Sequence, residues 1–90
     1  MEINFQDFFN RLKWDRSYAD KRDEFEITYT HRGAPNDAIT INYTDIEDIK
    51  HDGFVYRNER TGFNTFIPYH RIKKIENFIT NETLYRQEEK

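Results

Sequence analysis

Phe25-Glu26-Ile27-Thr28-Tyr29-Thr30 decides the fold. Apolar and polar residues alternate through it, and a period of two places Phe25, Ile27 and Tyr29 on one face of a half-buried strand. The next stretch, His31-Arg32-Gly33-Ala34-Pro35-Asn36-Asp37, breaks the pattern with Gly, Pro, Asn and Asp, all turn formers. Alternation resumes at Ile39, Ile41 and Tyr43, and a further strand is expected over Ile46 to Lys50. Asp52-Gly53 then separates that run from Phe54-Val55-Tyr56, which is a hairpin signal. Asn58 to Gly62 reads as a loop, and Phe63 to Ile67 as a short strand stopped by Pro68. In Arg71 to Phe78 the spacing of Ile72, Ile75 and Phe78 fits helix or strand. Strand is preferred because Thr80-Asn81-Glu82 before Thr83-Leu84-Tyr85 looks like a closing hairpin.

Upstream the period is different. Phe5, Phe8, Phe9 and Leu12 fall at i, i+3, i+4 and i+7, one face of a helix over about residues 5–14. Asn4 is its N-cap and Asp7 stands at the third helical position, a weaker relative of the capping box; Ile3 and Phe8 occupy the staple positions. Ser17 to Asp20 is connecting chain. The expected class is α+β: an N-terminal helix packed on a strongly bent, mostly antiparallel sheet of five or six strands over about residues 24–86. A barrel-like closure would protect its edges. Trp14 is expected to close the core between helix and sheet, with stacking on a nucleic-acid base as its functional alternative. Residues 87–90 are expected to fray.

The length, 90 residues, fits one domain. Hydrophobic residues are 36% of the chain, but aromatics are 17%, and a few large rings can fill a small core. A net charge of -3 argues against bulk binding to DNA, although 14 Lys and Arg leave room for a local cationic pocket. The absence of cysteine removes disulfides, iron–sulfur clusters and thiolate zinc sites. The three His show no metal-ligand spacing with the carboxylates, so no metal and no cofactor is expected. Asp37, Asp45, Glu47, Asp48 and Asp52 read as a solvated surface. Phosphate-loop, dinucleotide and nucleophile-elbow motifs are absent. No apolar run approaches the roughly 20 residues of a spanning helix and no signal peptide is visible, so a soluble, cytoplasmic monomer is expected.

Two stretches carry chemistry. His31-Arg32-Gly33 follows the first strand, and Pro68-Tyr69-His70-Arg71 follows a later one. Each sets a His-Arg pair beside a turn. An Arg fork matches phosphate oxygens, and a neighbouring His adds a hydrogen bond or a proton. Gly33 would let backbone approach a ligand closely. Tyr69 is an exposed stacking candidate, and residues 70–74 form the most basic stretch. The plainer reading is that neighbouring strand residues face opposite ways. His31 would then be a core-edge histidine and His70 a turn cap.

Arg11-Leu12-Lys13-Trp14-Asp15, Tyr29 to Asp37 and Ile67-Pro68-Tyr69-His70-Arg71-Ile72 together resemble a small archaeal family of uncharacterised proteins. Its domain is proposed to recognise RNA cyclic-group ends, and it also occurs fused to other modules in eukaryotes. The likeness spans about residues 5–86. It implies binding of RNA ends that carry a 2′,3′-cyclic phosphate, with His31, Arg32, His70 and Arg71 as phosphate contacts. Arg11 and Trp14 match the family's Arg-x-x-Trp pattern. The Arg57 to Asn64 segment is longer than that pattern, which bears on the local strand register. Binding without catalysis is the preferred reading. One alternative is a small phosphodiesterase with His31 and His70 as acid and base. Another is a protein-interaction domain.

Overall fold

A computed structural model describes residues 4–59 and 61–87. The helix α1 runs Phe5–Trp14. Among the described residues seven strands follow: β1 Phe25–Thr30, β2 Ala38–Asn42, β3 Ile46–Ile49, β4 Gly53–Arg57, β5 Asn64–Pro68, β6 Ile72–Asn77 and β7 Glu82–Arg86. They form two antiparallel sheets, ordered β2-β1-β6-β7 and β3-β4-β5. The class is α+β as expected. The single bent sheet of five or six strands is not found, and neither sheet closes into a barrel.

Two single-turn segments explain the division. After β2, Asn42 accepts the Thr44 N–H at 3.0 Å while Asp45 accepts the Asn42 N–H at 3.4 Å. This reciprocal cap winds Tyr43–Asp45 into a 3₁₀ turn and carries the chain off the first sheet. After β5, Pro68 has no N–H to continue a ladder, and Tyr69–Arg71 turns the chain back. Tyr43, expected at the end of a strand, belongs to the first of these turns.

The helix begins as its sequence dictates. Asn4 accepts the Asp7 N–H at 3.1 Å, satisfying one of the four N–H groups a helix start leaves open. Ile3, the other half of the expected staple, lies outside the described residues. At the far end Arg22 donates through Nε to the Leu12 carbonyl at 2.6 Å and through Nη2 to the Lys13 carbonyl. Phe9 and Leu12 are fully buried. The apolar face of α1 joins both sheets: Phe9 meets Phe54 of β4 at 5.6 Å between ring centroids, and Phe5 meets Tyr85 of β7 at 4.9 Å. Half of the buried apolar side chains are aromatic, so the small core is filled mainly by rings.

Trp14 does not close that core. It is 73% exposed, with the Lys13 ammonium 5.1 Å from its ring centroid. Two positions beyond Leu12 is about 200° round a helix, which turns the indole away from the buried stripe.

The Arg71 to Phe78 ambiguity resolves as strand because β6 pairs with β1, setting Ile75 opposite Ile27 in the core. The Asp52-Gly53 hairpin is present, closed by the Lys50 N–H on the Gly53 carbonyl at 2.8 Å. Gly53 is needed for space: a Cβ there would lie 2.4 Å from the Ile67 carbonyl oxygen. The long Arg57 to Asn64 segment leaves the register of β4 and β5 unbroken from Gly53↔Pro68 to Arg57↔Asn64. Gln87, at the start of the expected frayed tail, donates its N–H to the Lys73 carbonyl at 2.7 Å.

Candidate nucleic-acid-end site

Because β1 and β6 are antiparallel neighbours, with Tyr29 opposite Ile72, the chain leaving β1 and the chain entering β6 lie at one end of the sheet. The Thr30 hydroxyl donates to the Arg71 carbonyl at 3.3 Å across 41 positions of sequence. Beside this contact opens a cleft of about 510 Å³, lined by Thr30, Arg32, Asp37 and Arg71. The two distant stretches therefore meet, and each contributes an arginine.

The loop that carries Arg32 is held by its own backbone. His31 N–H donates to the Asp37 carbonyl at 2.8 Å, and Asp37 N–H to the Ala34 carbonyl at 2.8 Å. Gly33, Asn36 and Asp37 all have positive φ, at 95°, 58° and 54°. Gly tolerates this region freely, and Asn and Asp tolerate it better than other side chains. One Asp37 carboxylate oxygen accepts the Gly33 N–H at 3.3 Å. A Cβ on Gly33 would meet nothing within 4 Å, so this glycine answers a backbone requirement.

Arg32 and Arg71 are exposed and line the cleft. His31 and His70 are exposed but neither lines it. The His31 ring meets the buried Tyr29 ring edge-on, 6.4 Å between centroids. That is the core-edge position its strand phase implies. Beneath the cleft the Tyr29 hydroxyl bonds to the Tyr56 hydroxyl. Burial first, then the Tyr56 hydroxyl, holds the Tyr29 phenol above its ordinary pKa, and the Arg71 charge works the other way.

Tyr69 is placed differently from its sequence reading. It is half-buried, its hydroxyl donates to the Lys50 carbonyl at 2.6 Å, and its ring lies 5.6 Å from Phe5 and 5.9 Å from Phe9. Burial, with the charges of Asp52 and Asp48 behind it, pushes its pKa up to about 12. Tyr69 anchors the turn before β6. Among the described residues the most exposed rings are Trp14 and Phe63, at 73% and 74%, followed by Phe78 and Phe66.

Sequence reasoning missed Thr30 and Asp37. Thr30 looked like an ordinary outward strand residue. Asp37 was grouped with surface carboxylates, although it ends the loop that begins at His31. That shared loop was the available signal. Among the described residues no cluster of His, Cys, Asp and Glu could hold a metal ion. No helix among them is long and apolar enough to cross a membrane.

Comparison with known proteins places the chain. Residues 3–87 match the model of the MJ1316 RNA cyclic group end recognition domain. The UPF0248 protein MJ1316 of Methanocaldococcus jannaschii is 35% identical over 82 residues, covering 91% of each chain. A UPF0248 protein of Methanococcus vannielii is 38% identical over 82 residues, covering 91% of this chain and 89% of the relative. A more distant UPF0248 protein of Saccharolobus islandicus is 24% identical over 85 residues, covering 94% of this chain and all of the relative. No solved structure matches. On the extent of the domain match and the identity to these archaeal proteins, the chain belongs to the MJ1316 RNA cyclic group end recognition domain family.

Proposed function

We propose that this chain is a binding module for RNA ends carrying a 2′,3′-cyclic phosphate, with Arg32 and Arg71 as the phosphate contacts. The observation that carries the reading is the meeting of these two arginines in one cleft, and the name of the family's domain agrees with it. A cyclic phosphate is a small monoanion with two free oxygens. A guanidinium offers paired N–H donors that match such oxygens, and charge-assisted bonds of this kind are roughly twice as strong as neutral ones. Thr30 adds a hydroxyl at the same place. His31, His70 and Gly33 neighbour the cleft residues in sequence and are proposed to contact the terminal nucleotide rather than its phosphate. Tyr69 supports the site from the core.

The terminal phosphate would be read with few contacts, which suits a chain of net charge -3. Nothing in the geometry favours the phosphodiesterase reading, since acid and base would have to flank one phosphorus and neither imidazole lines the cleft. The test is a titration of two short RNAs of one sequence, one ending in a cyclic phosphate and one in a 3′-hydroxyl. Tighter binding of the cyclic end, lost in Arg32→Ala and Arg71→Ala, is expected. Equal affinity for both ends would remove the proposal.

A further inference from the structure

A carboxylate in an anion cleft requires an explanation. Asp37 lines the same hollow as Arg32 and Arg71. Its side chain accepts the Gly33 N–H, a role that an uncharged amide oxygen would fill equally well. Asparagine also tolerates the positive φ that Asp37 adopts. The loop geometry therefore calls for an acceptor that tolerates this backbone, and does not by itself call for a negative charge.

We infer that Asp37 moves the charge selectivity of the cleft toward monoanionic phosphodiester ends, by weakening its hold on dianionic phosphomonoester ends. The inference rests on the phosphate-binding reading of the cleft and deepens it. Two guanidiniums and one carboxylate leave the lining with a net charge of plus one. That residual charge favours a dianion far less than two unopposed guanidiniums would. A terminal monophosphate carries about -1.5 to -2 at neutral pH, its second pKa lying near 6. Its extra charge would face the Asp37 carboxylate across the cleft. Discrimination between two similar ligands often depends on such a repulsive group as much as on the attractive ones.

Among the described residues, Arg32 and Arg71 line the cleft with Asp37, and the His31 N–H donates to the Asp37 carbonyl. The experiment is run at about pH 8, where a monophosphate is dianionic and an ordinary imidazole neutral. Three RNAs of one sequence are titrated into the intact chain and into Asp37→Asn. They end in a 2′,3′-cyclic phosphate, a 3′-phosphate methyl ester and a 3′-monophosphate. The methyl ester is an open-chain monoanion, so it separates charge from ring shape.

Asp37→Asn should improve monophosphate binding about 3- to 10-fold relative to both monoanions, the scale of one unit charge about 4 Å away in a water-like dielectric, as in an open cleft. If the monophosphate-to-monoanion ratio does not move in Asp37→Asn, the inference is overturned, even where the cyclic end is still preferred to a 3′-hydroxyl. If the unaltered chain fails to prefer the cyclic end to a 3′-hydroxyl, the phosphate-binding reading falls instead. A methyl ester whose ratio to the monophosphate does not move in Asp37→Asn, while that of the cyclic end does, would show that ring shape decides, and would also overturn the inference. A loss of binding to all three ends in Asp37→Asn, with an unchanged thermal midpoint, would give Asp37 a direct contact in place of a filtering role and would overturn it too.

Discussion

The hydroxyls of Tyr29 and Tyr56 meet 2.5 Å apart in the interior, one from each sheet. Each is the other's buried polar partner beneath the cleft. Removing one hydroxyl strands the other, whereas removing both leaves two compatible rings. Tyr29→Phe or Tyr56→Phe alone should cost about 1–3 kcal/mol. The double variant should cost clearly less than the two singles added. Urea unfolding of the four chains gives the cycle directly, and simple additivity would show that the hydroxyls do not interact.

Alkali should weaken the fold in a defined window. Tyr43 donates to the Phe9 carbonyl at 2.7 Å, and burial pushes its pKa from 10.0 to about 12. Tyr69 is likewise raised to about 12. The neutral phenols are favoured in the folded chain, so their support is complete below about pH 10, where the unfolded phenol begins to ionise. It is lost as pH climbs through 12. The denaturation midpoint should fall across that interval, and more gently in Tyr43→Phe or Tyr69→Phe. An equal fall in those variants would move the cause elsewhere.

The two arginines should not be replaceable by lysine. Arg71→Lys keeps the charge but loses the fork, so binding of a cyclic-phosphate end should recover only part of what Arg71→Ala loses. The salt dependence should be shallow. One or two phosphates contacted on a single strand give a slope of about -0.7 to -1.4 in log affinity against log salt. A much steeper slope would indicate an extended backbone track.

The two glycines should fail in different ways. Gly53→Ala forces a Cβ to 2.4 Å from the Ile67 carbonyl, and overpacking of this kind costs about 1–3 kcal/mol or more. Gly33→Ala meets no atom within 4 Å but must hold a φ of 95°, a penalty of about 1–2 kcal/mol localised in the loop carrying Arg32. Thermal unfolding should register Gly53→Ala more strongly, and RNA titration should register Gly33→Ala more strongly.

Trp14 should behave as a surface residue. With 73% of it exposed, Trp14→Ala should change stability by about 0.5 kcal/mol or less. Its fluorescence, from the only indole in the chain, should be quenched readily by iodide. A large loss of stability would contradict the exposed placement.

Local physics in the sequence revealed much of this molecule. The helix bounds at Phe5 and Trp14 followed from the Phe spacing and the Asn4 cap, and β1 from strict alternation. The division into two sheets was not legible. It depends on two turns, Tyr43–Asp45 and Tyr69–Arg71: Tyr43 reads in sequence as a strand end, and the turn after Pro68 does not show which sheet the next strand joins. The cleft was half legible: Arg32 and Arg71 stood out by chemistry, but their meeting depends on the β1–β6 ladder, a pairing no short-range pattern encodes. Tyr69 reads as exposed beside His70, but its ring packs on Phe5 and Phe9, contacts that only the tertiary fold creates. Trp14 was misread because a large ring was assumed to be buried, although its angular position on the helix opposed that.

The pairing of β1 with β6 also has a temporal meaning. During synthesis Arg32 is made long before Arg71, and the ladder that joins them must wait for the final third of the chain to emerge. Under the proposed reading, a polypeptide that still lacked β6 could not bring its two arginines to one phosphate.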